Sequence, residues 1–227
     1  MVKNKTYIKK DYDDYLNYER IKFKSNHLLS LPFKRVLDVG CASGLALHLL
    51  RTNNNNSDFL GIDIDHEMID MAKNFFSSDL NSSFKLDEIE TLQSSEDFDL
   101  ILLWGLISFY NSYEDLIIKL KSLLAPNGYI SIWSGFCNSE FDVRVTYSKD
   151  SEINSGLNMF SLPKLTNYLE NNGFSVTCHR YIPKTPLSSD PNNPLVSYTV
   201  QDQEDLMIVN GLNVVRDFYH LILHRKI

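Results

Sequence analysis

The residues of this chain that can do chemistry gather where apolar runs end: Asp38, a turn from Gly40 to Gly44, Asp63, and the acidic pair Asp87 and Glu88. In an open parallel sheet, ligands sit beyond the carboxyl ends of the strands, near the point where strand order reverses, and the first strand-to-helix turn supplies backbone N–H groups. Gly40 allows a sharp turn and close approach of a ligand, while Cys41, Ala42, Ser43 and Gly44 lead into a helix whose free N–H groups suit a carboxylate or phosphate. A dinucleotide-binding turn needs glycine at its third and sixth positions, where Ala42 and Leu45 stand. Asp38 would set a negative charge beside a pyrophosphate, yet it suits a ligand carrying an ammonium and a sulfonium. Asp63 is placed to accept hydrogen bonds from both hydroxyls of a ribose. Asp87 or Glu88 offers an acceptor at the same edge, or a helix cap.

These residues need a frame, and the pattern from Lys34 onward provides one. Apolar strand-like runs alternate with helix-like stretches, the pattern of a parallel sheet covered by helices on both faces. Strands are expected at Arg35–Val39, Phe59–Ile62, Ser83–Leu86, Leu100–Trp104, Tyr129–Trp133, Phe174–Tyr181 and Phe218–His224. The fold class is therefore α/β: a doubly wound, mostly parallel, seven-stranded sheet whose last strand is antiparallel. Asp65 caps a helix that carries Met68, Met71, Ala72 and Phe75 on its inner face. Leu116, Ile117, Leu120, Leu123 and Leu124 mark a second helix within Ser112–Ala125, after which Pro126-Asn127-Gly128 turns the chain. A third helix starts at Ser161 and stops at Asn172-Gly173. Asp11 to Leu31 reads as an aromatic-rich helix, and the prolines of Pro183 to Pro194 make an irregular excursion before the last strand.

The whole of 1–227 reads as one domain, with a helical cap over 1–33, a cofactor-binding half over 34–133, and a substrate-side half over 134–227 with an excursion at 183–213. A net charge of -7 argues against a broad electrostatic grip on nucleic acid, which needs clustered Lys and Arg. Cys41, Cys137 and Cys178 have no metal-ligand spacing and are odd in number, so neither a metal site nor a disulfide framework is expected. The longest apolar run, Leu100 to Phe109, is too short to span a bilayer. The expected setting is the reducing cytoplasm, away from membranes.

The segments VLDVGCASG, LGIDIDHEMIDMA, LDEIETL, FDLILLWGLISFY and LAPNGYISIW, spread over Val36–Trp133, resemble successive motifs of class I S-adenosylmethionine-dependent methyltransferases. The resemblance implies that Gly40–Gly44 holds the methionine portion of S-adenosylmethionine, that Asp38 orients it and Asp63 binds its ribose, that Ile64 and Met68 flank adenine, and that Asp87 or Glu88 meets the adenine amine. Leu103 and Trp104 would contribute backbone near the methionine. The chain departs from the pattern after the fourth strand. Where many relatives carry an acid followed by histidine, it has Ser108-Phe109, and it lacks the Asn-Pro-Pro-Tyr or Asp-Pro-Pro-Tyr sequence of relatives acting on DNA bases and protein amides.

A sulfonium is already a good leaving group, so methyl transfer needs chiefly an in-line approach of the two reactants. An acceptor hydroxyl of high pKa would benefit from a base, for which Tyr110 and His179 are the candidates, while His48, His66, His220 and His224 read as structural. The expected reaction is methylation of an oxygen or nitrogen of a small metabolite, sugar derivative or natural-product intermediate. The alternatives are a non-catalytic S-adenosylmethionine-binding or regulatory protein and an NAD(P)-dependent oxidoreductase. Substrate choice should reside in Tyr12, Tyr15 and Tyr18, in Ser134–Asn158, and in the Pro183–Asn213 excursion.

Overall fold

A computed structural model describes residues 12, 16, 18–54, 56–95, 97–149, 152–190, 197–211 and 214–226. In chain order the strands are β1 (Arg35–Val39), β2 (Asp58–Asp63), β3 (Ser82–Leu86), β4 (Phe98–Trp104), β5 (Leu124–Phe136), β6 (Val143–Lys149), β7 (Glu152–Met159), β8 (Phe174–Tyr181), β9 (Ser197–Asp202), β10 (Asp205–Asn210) and β11 (Asp217–Arg225). The helices are α1 (Glu19–Leu28), α2 (Leu45–Arg51), α3 (His66–Phe75), α4 (Glu114–Leu123) and α5 (Leu162–Asn171), with a short 3-10 turn at Ile107–Phe109. The main sheet has seven strands in the order β3-β2-β1-β4-β5-β11-β8. Its pairs are parallel except that β11 runs antiparallel to both β5 and β8. Strand order reverses between β1 and β4, which places the ligand crevice at their carboxyl ends.

Alternation along each strand divides the core in two. Leu37, Val39, Ile101, Leu103, Ile130, Ile132, Leu221 and Leu223 face α4 and α5 through Leu116, Ile117, Leu120, Leu165 and Leu169. Val36, Phe59, Leu100, Leu102 and Ile222 face the other way, against Leu28 of α1, Leu47 and Leu50 of α2, and Ile69 and Ala72 of α3. Val36 and Leu37 are both fully buried on opposite faces of β1, and each such side chain contributes roughly 1.5–3 kcal/mol. The central strands are thereby held firmly enough to fix the turns that follow them. Asp65 accepts the Glu67 N–H at 2.9 Å, Ser161 accepts the Lys164 N–H at 3.3 Å, and Gly173 takes a left-handed φ of 86° after α5, as their residue types lead one to expect.

Other elements differ from the sequence reading. The expected continuous helix over Asp11–Leu31 is broken: Tyr12 and Leu16 are helical, but Tyr18 is extended with ψ 133° and α1 begins after it. Tyr15 lies outside the described residues. Pro126-Asn127-Gly128 does not precede the fifth strand but sits inside β5, where Asn127 adopts φ 63° and the register against β4 shifts between Phe98 and Leu100. β5 advances five residues there while β4 advances two, an enlarged bulge that lets one strand absorb a turn-like sequence. The Ser134–Asn158 segment carries the β6–β7 hairpin, and the Pro183–Asn213 excursion carries β9–β10. The β9–β10 turn uses Gln203 at φ 53° followed by Glu204, without the Asn-Gly or Asp-Gly signal that reveals a hairpin in sequence. Pro191 and Pro194 lie outside the described residues.

Gly61 on β2 shows how tightly the sheet presses on the turn above it. A Cβ there would stand 2.7 Å from Phe84 and 2.8 Å from the sulfur of Cys41. Gly61→Ala is therefore expected to overpack this contact and lower stability by about 1–3 kcal/mol, read as a reduced midpoint in urea denaturation.

Candidate functional site

The turn after β1 is folded by its own hydrogen bonds. The N–H groups of Gly40 and Cys41 both reach the Ile62 carbonyl at 2.9 Å, the Ala42 N–H donates to Asp63 Oδ2 at 2.8 Å, and the Gly44 N–H donates to the Cys41 carbonyl at 2.9 Å. Four N–H groups of the turn are thus engaged within the protein, and of the residues expected to open α2 with free N–H groups, Ser43 and Gly44, only Gly44 is among the four. What the turn offers is shape. Gly40 has φ 73°, and even a Cβ would press on Leu106 at 3.3 Å. Gly44 has φ 84°, and its Cβ would stand 3.0 Å from Phe76, so packing as well as backbone conformation demands glycine there. Ala42 holds a left-handed φ of 46°, kept by the Asp63 bond. Cys41 is a core residue: its side chain is buried beneath the turn, and burial pushes its thiol well above the usual range, which suppresses the thiolate. Ser43 is buried and its carbonyl accepts the Tyr12 hydroxyl at 2.6 Å.

The acids come together as the sequence spacing suggests. Asp38 is 2% exposed and its Oδ2 has no hydrogen-bond partner among the described residues. Burial first, then the nearby Asp63 charge, push its carboxyl up to about 7, against a smaller opposing pull from Lys24. Asp63 is already engaged: Oδ2 holds the Ala42 N–H and Oδ1 the Asp65 N–H at 2.9 Å, so one carboxylate ties the glycine turn to the start of α3. Each oxygen retains acceptor capacity for a further donor. Beside it Ile64 is 52% exposed, an apolar side chain open to a flat ligand, whereas Met68 is buried under α3. Asp87 behaves as a cap, accepting the Thr91 hydroxyl and the Glu88 N–H at 2.9 Å each, and Glu88 is exposed.

Beyond β4, the Gly105 N–H donates to the Trp133 carbonyl at 2.7 Å, and Gly105 at φ 76° has open space where a side chain would be. The sequence reading passed over this glycine, whose signal was its place directly after the fourth strand. Leu103 points into the far core, and the Trp104 ring turns to the α1 face, where its Nε1–H donates to Ser131 Oγ at 2.8 Å. Ser131 Oγ contacts His220 Nε2 at 2.7 Å, and His220 Nδ1 contacts His27 Nδ1 at 3.0 Å. Burial chiefly, with Lys24, His27 and His179, pushes His220 down to about 2, so it stays a neutral link in this chain.

Neither candidate base fits its role. Tyr110 is hydrogen-bonded to Glu90, and burial followed by that carboxylate raises its hydroxyl far above neutrality, which keeps the proton on. His179 stacks on His27 with ring centres 3.7 Å apart and pairs with His220 on the outermost strand β8. Four strand spacings separate β8 from β1, roughly 19 Å, so the structure does not bring it to the acids. A separate cavity of about 600 Å³ opens at the same sheet edge between the end of β8, the β9–β10 hairpin and the start of β11, lined in part by Arg180, Tyr181, Asp205 and Arg216. No helix among the described residues is long and apolar enough to cross a membrane.

The reversed strand order, with the glycine turn and two acids gathered at the carboxyl ends of β1 and β2, defines a Rossmann-like α/β protein. Residues 12–179 match a family model described as a methyltransferase domain, and the chain belongs to that family. It is 30% identical over 138 residues to malonyl-[acyl-carrier protein] O-methyltransferase 2 of Ilyobacter polytropus, covering 60% of this chain and 52% of that protein. It is 28% identical over 182 residues to tRNA U34 carboxymethyltransferase of Hydrogenovibrio crunogenus, covering 76% of this chain and 53% of that protein. The chain thus spans about half the length of these relatives. The structure of 1,6-didemethyltoxoflavin-N1-methyltransferase from Burkholderia thailandensis, with its substrate and S-adenosylhomocysteine bound, shares the fold at a TM-score of 0.60 and 14% identity, covering 91% of this chain and 76% of that one.

The perturbed Asp38 makes stability depend on pH. Its carboxyl titrates near 3.8 when unfolded and near 7 when folded, so the folded chain favours the protonated form. That preference is fully present below the unfolded value and is lost as pH rises through 7, a contribution of about 4 kcal/mol in total. Asp38→Asn should flatten this decline, seen as a variant whose urea stability gains on the parent between pH 4 and pH 7.

Proposed function

We propose that this protein is an S-adenosylmethionine-dependent methyltransferase acting on an oxygen or nitrogen of a small molecule. The observation that carries this reading is the buried, unpartnered Asp38 oxygen beside Asp63: it calls for a donor with positive charge, which the methionine ammonium supplies, and it disfavours a pyrophosphate. Bound S-adenosylmethionine supplies an activated methyl group on a positively charged sulfur. In this reading Asp38 orients the ammonium, Asp63 accepts the ribose hydroxyls through its remaining lone pairs, Ile64 covers one face of the adenine, and Gly105, with open space where a side chain would be, leaves room for the methionine portion. Asp87 can meet the adenine amine through the oxygen not used in capping. The cap, the cofactor half and the substrate-side half act as one domain, at work in the cytoplasm. The net charge of -7 favours a small acceptor over a nucleic acid, although one relative is named for a tRNA.

Calorimetry tests the reading. S-adenosylmethionine should bind, and because its ammonium favours ionised Asp38, binding below pH 7 should release a proton, seen as a heat that depends on the ionisation enthalpy of the buffer. Asp38→Asn should abolish that dependence. Asp63→Ala should weaken binding by about tenfold or more, since it removes the ribose acceptor and frees the Ala42 and Asp65 N–H groups at about 1 kcal/mol for each lost bond. A wild-type protein that binds NAD but not S-adenosylmethionine would refute the proposal.

A further inference from the structure

Helix α1 presents Ile21, Lys24, Ser25 and Leu28 to the sheet, so a lysine occupies the inner stripe where an aliphatic residue would pack at no electrostatic cost. Lys24 is 3% exposed. Its Nζ lies 3.5 Å from the centre of the Trp104 ring and 5.2 Å from that of Trp133. These tryptophans are register partners near the carboxyl ends of β4 and β5, the edge from which Gly105 and the glycine turn also project. The ion pairs among the described residues are Arg51–Asp79, His66–Asp70 and Arg180–Asp217, so Lys24 is in none of them, although the buried Asp38 carboxylate on β1 acts on it electrostatically. The helix is pinned at its other end, where Glu19 accepts the N–H groups of Lys184 and Thr185 at 2.8 and 3.0 Å and the Tyr181 hydroxyl.

We propose that Lys24 is the proton acceptor of the reaction, its Nζ above Trp104 taking the proton of a weakly acidic aromatic hydroxyl that receives the methyl group. The inference rests on the methyltransferase reading. Burial, and after it the Arg20 charge on the same helix, lowers the amine well below its ordinary range against a weaker opposing effect of Asp38 on β1, which favours the neutral amine and its lone pair. On β11, His220 remains neutral and does not compete for the proton. Phe23, Trp133, Tyr181 and Phe218 continue the aromatic cluster beside Lys24, packed on one another with neighbouring ring centres 5.2–6.1 Å apart, a surface whose chemistry matches a planar aromatic acceptor. In the step itself the hydroxyl oxygen bonds to the methyl carbon and leaves the electron pair of the carbon–sulfur bond on sulfur. The hydroxyl proton passes to the Lys24 lone pair, so the positive charge that sulfur loses appears as an ammonium above the Trp104 ring, where the π face stabilises it until the proton leaves to water.

The test uses 4-nitrophenol, whose phenolate absorbs visible light, added to protein saturated with S-adenosylhomocysteine at a pH where the free probe is mainly un-ionised. Phenolate absorbance is expected with the wild type and its loss with Lys24→Met, which keeps the apolar stem of the side chain. Failure of the probe to bind, binding without ionisation, or equal ionisation in Lys24→Met would each overturn the proposal. Calorimetry of S-adenosylhomocysteine on both proteins separates this from failure of the methyltransferase reading, in which neither protein would bind it. The chain has two tryptophans, both in contact with Lys24, so the pH dependence of wild-type tryptophan emission reports the amine even if Lys24→Met does not fold. A transition well below the ordinary lysine range is expected, and emission that changes only in that ordinary range would overturn the proposal.

Discussion

Two carboxylates on adjacent strands, Asp38 on β1 and Asp63 at the end of β2, impose the constraint on which the site depends. They lie close enough for the charge of one to raise the pKa of the other, and burial of Asp38 prevents water from relieving the repulsion. Asp63 meets its share of the cost by gathering two backbone N–H groups, and in doing so it shapes the left-handed conformation of Ala42 and the start of α3. Asp38 has no such relief. An unpartnered oxygen is thus held at the crevice where strand order reverses, and a cationic ligand is the natural complement to it.

The two faces of the sheet serve different ends. The face against α4 and α5 is uniformly apolar and holds the central strands rigid. The face against α1 carries a polar strip from Lys24 through Trp104 and Ser131 to His220 and His27, each member reached by a contact rather than left exposed. Such a strip is costly to bury unless its groups satisfy one another. The neutral state of His220 shows how the protein manages this: hydrogen bonds at both ring nitrogens take the place of charge.

The edge strand β8 and the two hairpins lie at the margin of this central frame. β8 lies at the end of the sheet, and β6–β7 and β9–β10 are two-stranded pairs outside the main sheet, so they shape the carboxyl edge without disturbing the central register. The Glu19 contacts with Lys184 and Thr185 tie α1 to the segment that follows β8.

The central strands, the glycine turn and the helix caps at Asp65 and Ser161 were legible in the chain because each depends on local chemistry: apolar runs, a glycine after a strand, a side-chain oxygen before a helix. The methyltransferase resemblance rested on the same local features. The turn N–H groups belonged to another category, since whether they are free depends on Ile62 and Asp63, distant in sequence and adjacent only once β1 and β2 pair. The β9–β10 hairpin escaped notice because Gln203 and Glu204 make its turn without glycine, and β5 absorbed Pro126-Asn127-Gly128 through a bulge that exists only against β4. Tyr110 and His179 looked eligible by type, but Glu90 and the width of the sheet decide their protonation and place. Lys24, an ordinary helix lysine in one dimension, becomes a buried amine between two tryptophans in three. Residue type and spacing determined which elements form and which class of ligand their acids would tolerate; packing alone decided which groups are buried, paired or able to exchange a proton, because desolvation and charge act through space and not along the chain.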